Sequence, residues 1–179
     1  PISGTFSALT ASFASTVEIN AASAVDIGNN DFTVSNLKAG QAVKLGSNLD
    51  FDSGKIVLSV TNASTNTADV LNITTDGKNQ TATATFEGIT ADNIETVSVD
   101  LGSTHADNTT IAGGTLNFAA ATAVNLTGSK ITSATVIAKT GATVDASGVT
   151  GTLTLTADDD KAYTLKGSAT KATSFVTGA

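Results

Sequence analysis

Apolar and polar positions alternate with a period of two along much of this chain. The clear cases are Lys55-Ile56-Val57-Leu58-Ser59-Val60, Thr81 to Phe86, Glu95-Thr96-Val97-Ser98-Val99 and Thr152-Leu153-Thr154-Leu155-Thr156. Successive side chains of a strand point to opposite faces, so this alternation predicts strands with one buried face. Each run is short and bounded by Gly, Asn or Asp, the residues that supply turns. Apolar stripes at helical spacing are absent. Residues 7–16 and 118–123 (FAAATA) are rich in small side chains and can form a helical turn, but not a long helix. The pattern predicts an all-β chain.

A repeat is superimposed on the alternation. Val25-x-Ile27-Gly28-Asn29 returns as Val43-x-Leu45-Gly46-Ser47, 18 residues on. Val124-x-Leu126-Thr127-Gly128-Ser129 returns near Val144-x-Ala146-Ser147-Gly148 and again as Tyr163-x-Leu165-Lys166-Gly167-Ser168, at spacings of 20 and 19. A short strand ending in Gly and a small polar residue, once every ~20 residues, suits one coil of a β-solenoid. One coil cannot bury its inward residues alone; stacking buries a column of them, and Gly permits a positive φ at each corner. The competing reading is chance self-similarity in a sequence dominated by Thr, Ala, Gly and Val. Residues 55–117 break the period and read as an irregular β segment, a β-sandwich or an inserted hairpin. The expected organisation is therefore N-terminal β repeats over 1–54, an irregular segment over 55–117 and solenoid-like coils over 118–179, within one continuous domain.

Composition narrows the function. The 179 residues contain no Cys, Met, Trp or Arg, and all 9 basic residues are Lys. Lack of Met implies a piece of a longer or processed protein. Without Cys there is no disulfide framework, thiolate metal site or Cys nucleophile. A net charge of −7 without any Arg disfavours nucleic acid and anionic membranes and favours divalent cations. No apolar run reaches the ~20 residues of a membrane span.

Several stretches carry a resemblance. Asp69-Val70-Leu71-Asn72-Ile73 is followed by Gly88-Ile89-Thr90-Ala91-Asp92-Asn93-Ile94-Glu95-Thr96-Val97-Ser98-Val99. Then come Ala123-Val124-Asn125-Leu126-Thr127-Gly128, Val144-Asp145-Ala146-Ser147-Gly148-Val149-Thr150-Gly151 and Thr173-Ser174-Phe175-Val176-Thr177-Gly178-Ala179. Over residues 65–179 the chain resembles bacterial S-layer and related giant surface proteins of the RTX (repeats-in-toxin) class. The resemblance implies a secreted structural segment at the cell surface, exported by a type I system and preceding calcium-binding repeats. It also implies partnership with copies of itself in a lattice or fibre, with attachment to cell-surface polysaccharide through another domain. The family's G-G-x-G-x-D signature is absent: Gly113-Gly114 is followed by Thr115-Leu116-Asn117-Phe118.

Asp158-Asp159-Asp160 is the leading candidate for calcium, because adjacent carboxylates at a turn repel one another unless a hard cation bridges them. The alternative is a solvated acidic turn screened by Lys161. Asp50 and Asp52 share a strand face and form the second candidate. The loop Asn48 to Gly54 is not an EF-hand, since its Gly falls one position late and Ser59 stands where the bidentate Glu belongs. Gly28-Asn29-Asn30-Asp31 reads as a turn. His105, the one imidazole, lies in a polar stretch without a recognisable Ser or acid partner. Glu18, Glu87 and Glu95 are scattered, and the 7 Phe read as core rather than as a sugar platform. Five N-x-[ST] sequons, at Asn62, Asn72, Asn79, Asn108 and Asn125, are what such a composition yields by chance. The expectation is a non-enzymatic structural module, with an adhesin binding module as the alternative and a β-helix polysaccharide-active enzyme as a third.

Overall fold

The computed structural model describes residues 4–7, 15–19, 25–26, 31–45, 49–50, 54–75, 85–100, 102, 111–129, 131–158 and 160–177. Among them there is no helix, and all regular structure is β. With strands numbered in chain order, β1 (Gly4–Ser7), β4 (Phe32–Leu37), β7 (Lys55–Val60), β9 (Thr85–Ala91), β11 (Ile111–Asn117), β13 (Ile131–Ile137), β15 (Leu153–Ala157) and β17 (Thr173–Thr177) form an eight-stranded sheet in that spatial order. A seven-stranded sheet runs β2 (Thr16–Ile19), β5 (Ala42–Leu45), β8 (Val70–Thr75), β10 (Thr96–Asp100), β12 (Ala123–Gly128), β14 (Thr143–Val149) and β16 (Thr164–Lys166). β3 (Val25–Asp26) pairs with β6 (Leu49–Asp50). Every described pairing is parallel.

The chain alternates between the two large sheets, and each strand pairs with the next one in its own sheet. A strand from each sheet makes one tier, and the tiers stack. This layout is compatible with a β-solenoid. Parallel sheets covered on both faces are apolar on both; these are apolar on one. Val97, Val99, Val124, Leu126 and Val144 point inward with at most 1% exposure, while the residues between them are half-buried or exposed. In register they form columns: Leu71, Val97, Val124, Val144 and Leu165 in the seven-stranded sheet, and Leu116, Val136 and Ala157 in the other. Each fully buried Val or Leu contributes about 1.5–3 kcal/mol.

Several expectations are corrected. Among the described residues of 55–117 no antiparallel pairing occurs: β7 to β11 continue the same two parallel sheets. Tier length varies there, with Ile56 opposite Ile89 and Ile89 opposite Leu116, which hides the repeat. Near the N-terminus, Val43 pairs with Val17 and Ile73, whereas Val25 pairs with Leu49, so the 18-residue match linked strands of different sheets. Val124 does stand opposite Val144, but Val144 faces Leu165 rather than Tyr163. Residues 118–123 form no helix; Phe118 and Ala121 turn inward, joined by Ala121 N–H to Phe118 O at 2.8 Å.

Glycine is favoured for two different reasons. Gly88, within β9, has φ +146°, and a Cβ there would strike the Thr115 carbonyl oxygen. Gly148 has no such φ; a Cβ would lie 2.7 Å from Thr127 Cγ2, so the Thr127 side chain would have to shift to admit it. Gly148 closes a bulge. Asn125 faces Asp145 and Thr127 faces Gly148, so β14 has one residue more than β12 over this stretch. Asp145 Oδ1 stabilises the bulge by accepting from Ser147 N–H at 2.9 Å and Ser147 Oγ–H at 2.5 Å. The Asp-Ala-Ser-Gly run is thus a local device that the two-residue alternation does not predict.

Candidate functional site

The chain enters β5, β12 and β14 through tight turns, closed by Gln41 N–H to Lys38 O (3.0 Å), Ala121 N–H to Phe118 O and Ala142 N–H to Lys139 O (2.9 Å). The corresponding corners before β8 and β10 are built from Asn66–Asp69 and Asp92–Glu95. Asn93, with φ +58°, reverses the second of these. Val70 is in register with Thr96, so Asp69 and Glu95 occupy the same step of consecutive tiers. Their backbones are joined by Thr96 N–H to Asp69 O at 3.0 Å.

Polar chemistry concentrates at this corner. Among the described residues, Gln41 and Asp69 are the buried polar side chains, at 5% and 2% exposure. Gln41 Oε1 accepts from Lys38 N–H at 2.7 Å. Asp69 N–H donates to Glu95 Oε2 at 2.9 Å, and Asn66 Nδ2 donates to Asp69 Oδ1 at 3.2 Å. Asp69 Oδ2 is buried without a partner. A buried polar atom left unpaired costs about 1–3 kcal/mol, more when charged. Among the described residues the other such atom is Asn117 Oδ1, a neutral amide oxygen at the end of β11.

The acidic turn lies elsewhere, after β15. Asp158 is half-buried and forms an ion pair with Lys161 at 3.1 Å, and Asp160 is exposed. Asp159 lies outside the described residues, as do Asp52 and His105. Asp50 is in β6, in register with Asp26; the side chains of this pair are not described. Glu18 pairs with Lys44 of the next tier at 3.3 Å. Glu87 lies in β9, with its side chain outside the description. Glu18 and Glu87 are therefore on different strands and Glu95 is in the corner before β10, where it reaches another carboxyl-bearing residue through the Asp69 N–H.

A further charged group sits on the outer face of the seven-stranded sheet. Asp145 accepts from Ser147 and lies 3.2 Å from Lys166 Nζ in the next tier. The Ser147 hydroxyl, then its backbone N–H, then Lys166 hold the Asp145 carboxyl below its ordinary range. Among the described residues, no group of three or more His, Cys, Asp or Glu side chains is placed to hold a metal ion.

Sequence reasoning read Asp69 only as part of a strand motif and Glu95 as scattered. A usable signal was present: each acid stands immediately before an alternating strand, Asp69 before Val70-Leu71-Asn72-Ile73 and Glu95 before Thr96-Val97-Ser98-Val99. No protein-family model, curated protein or solved structure matches this chain.

Proposed function

We propose that this chain is a β-solenoid structural module of a bacterial surface layer, secreted to the cell exterior, working by assembly with copies of itself and assisted by calcium. The observation that supports it most is the stacking of tiers: two parallel sheets, each adding a strand per tier, with apolar columns inside and Thr, Ser, Asn, Asp and Lys outside. Such a body is extended by repetition, and its polar outer faces suit lateral packing in a hydrated lattice. The S-layer and RTX resemblance of residues 65–179 supports the extracellular setting. Asp158, Asp159 and Asp160, then Asp50 and Asp52, are the proposed calcium contacts of assembly. Cell-surface polysaccharide would be reached through another domain.

The alternative is a binding module of a large adhesin. Its support is the amide and hydroxyl rank Asn72, Ser98 and Asn125 across the outer face, with Asn125 Nδ2 donating to Ser98 Oγ at 3.4 Å. Electron microscopy of the parent protein, with calcium and with a chelator, separates the readings. Ordered two-dimensional arrays that dissolve in chelator support the coat. A protein that stays monomeric in both buffers and binds a glycan supports the adhesin and refutes the coat.

A further inference from the structure

The corner before β8 and β10 holds an arrangement that its own hydrogen bonds leave incomplete. Asp69 is 2% exposed, Asn66 serves one of its carboxylate oxygens, and Oδ2 has no partner. The Glu95 carboxylate lies against Asp69, because its Oε2 accepts the Asp69 backbone N–H at 2.9 Å. The Glu95 carboxylate is thus held to the same residue that carries the unpaired oxygen, whose carboxylate is three bonds from the bonded nitrogen. A cation that accepts electron pairs from both groups gives Oδ2 the partner it lacks.

We propose that Asp69 and Glu95 are ligands of a hard divalent cation of the calcium class, bound where β8 and β10 begin. The donors are all oxygen, which favours calcium over zinc or copper. The Asn66 amide lies within reach, and an exchange of its nitrogen and oxygen positions would present a third oxygen. Water completes a shell of six to eight. The ion would tie together two consecutive tiers, Asp69 from one and Glu95 from the next. This site is separate from the acidic turn after β15 and does not depend on the surface-layer reading.

Isothermal titration calorimetry with calcium chloride on the 179-residue chain tests the proposal, alongside thermal melting in calcium and in chelator. The variants are Asp69→Asn, Glu95→Gln and a control carrying Asp158→Asn, Asp159→Asn and Asp160→Asn. The expected result is a site in the wild type and the control that weakens at least about tenfold in both corner variants, since affinity follows the ligand charge count. At calcium 100 times the dissociation constant, the wild-type melting temperature should rise by about 5–10 °C. In chelator, Asp69→Asn should melt no lower than the wild type, because the oxygen it replaces makes no hydrogen bond. Calcium binding that both corner variants retain overturns the proposal. So does a wild type without calcium binding, in which case a buried water serves Oδ2. An Asp69→Asn variant that melts equally far below the wild type in both buffers overturns it too, since the carboxylate would then be purely structural. Loss of binding in the control alone would support the acidic turn and refute this site.

Discussion

Phe118 and Phe175 offer a matched pair for testing where the core lies. Phe118 is fully buried at the turn between β11 and β12, with its N–H fixed to Ile137 O at 2.8 Å. Phe175 stands in β17, in register with Leu155, yet keeps 38% of its surface exposed. Replacing either by Ala deletes the same atoms. At Phe118 the loss is the transfer free energy plus a cavity that stacked tiers cannot collapse, about 3–5 kcal/mol. For a domain of this size that is a fall in melting temperature of about 6–20 °C. At Phe175 about three-fifths of a 1.5–3 kcal/mol transfer term is lost and solvent enters the space, so the cost is about 1–2 kcal/mol. Stacked tiers interact mainly with their neighbours, so the Phe175 loss should appear as fraying of the last tier. Urea unfolding followed by circular dichroism gives the global cost, and hydrogen exchange of β15 and β17 amides gives the local one. Equal global losses for Phe118→Ala and Phe175→Ala would refute the placement of the core between the two sheets.

Three further outcomes are expected. Gly88→Ala should destabilise by about 3 kcal/mol or more, because it adds a strained positive φ to a Cβ clash with the Thr115 carbonyl; a wild-type melting temperature for this variant contradicts the close approach of β9 and β11. Tyr163→Phe should cost about 1–3 kcal/mol, since the phenol both accepts from Ala138 N–H at 3.1 Å and donates to Ala138 O at 3.2 Å at a fully buried residue; unchanged exchange protection of the Ala138 amide would count against it. The Asp145 carboxyl is held below its ordinary value of 3.8, so its contribution to stability is complete above that value and is lost as pH falls through the lower folded-state value. The stability gap between wild type and Asp145→Asn should therefore close on acidification, and a gap that persists in strong acid would show that the charge is irrelevant.

The alternation made the strands legible with little error. Lys55–Val60 appears as read, Glu95–Val99 and Thr152–Thr156 shift by about one residue, and residues 81–84 of the Thr81–Phe86 run lie outside the described residues, with β9 beginning at Thr85. The tier repeat was legible only where tiers are short. Between Val124 and Val144 the connections are short, and the match is in register. Between Ile56 and Ile89 longer connections intervene, and nothing in the local pattern says which later strand will pair with which earlier one. Parallel pairing is a long-range choice, fixed by columns such as Leu71, Val97 and Val124 that only the folded chain brings together. The Val25 match failed for the same reason: two short apolar strands with similar endings lie in different sheets.

The candidate site was less legible, and the cause is physical. Sequence reading rewards carboxylates that are adjacent in the chain, as in Asp158-Asp159-Asp160, where Asp158 is paired with Lys161 and Asp160 is exposed. Asp69 and Glu95 are 26 residues apart, and stacking makes them neighbours at a corner where Asp69 is buried and its unpaired oxygen is costly. In a stacked parallel fold, position relative to the strand start predicts proximity better than distance along the chain. Acids that recur just before alternating strands are therefore the ones to compare first, because one tier's turn is laid directly against the next.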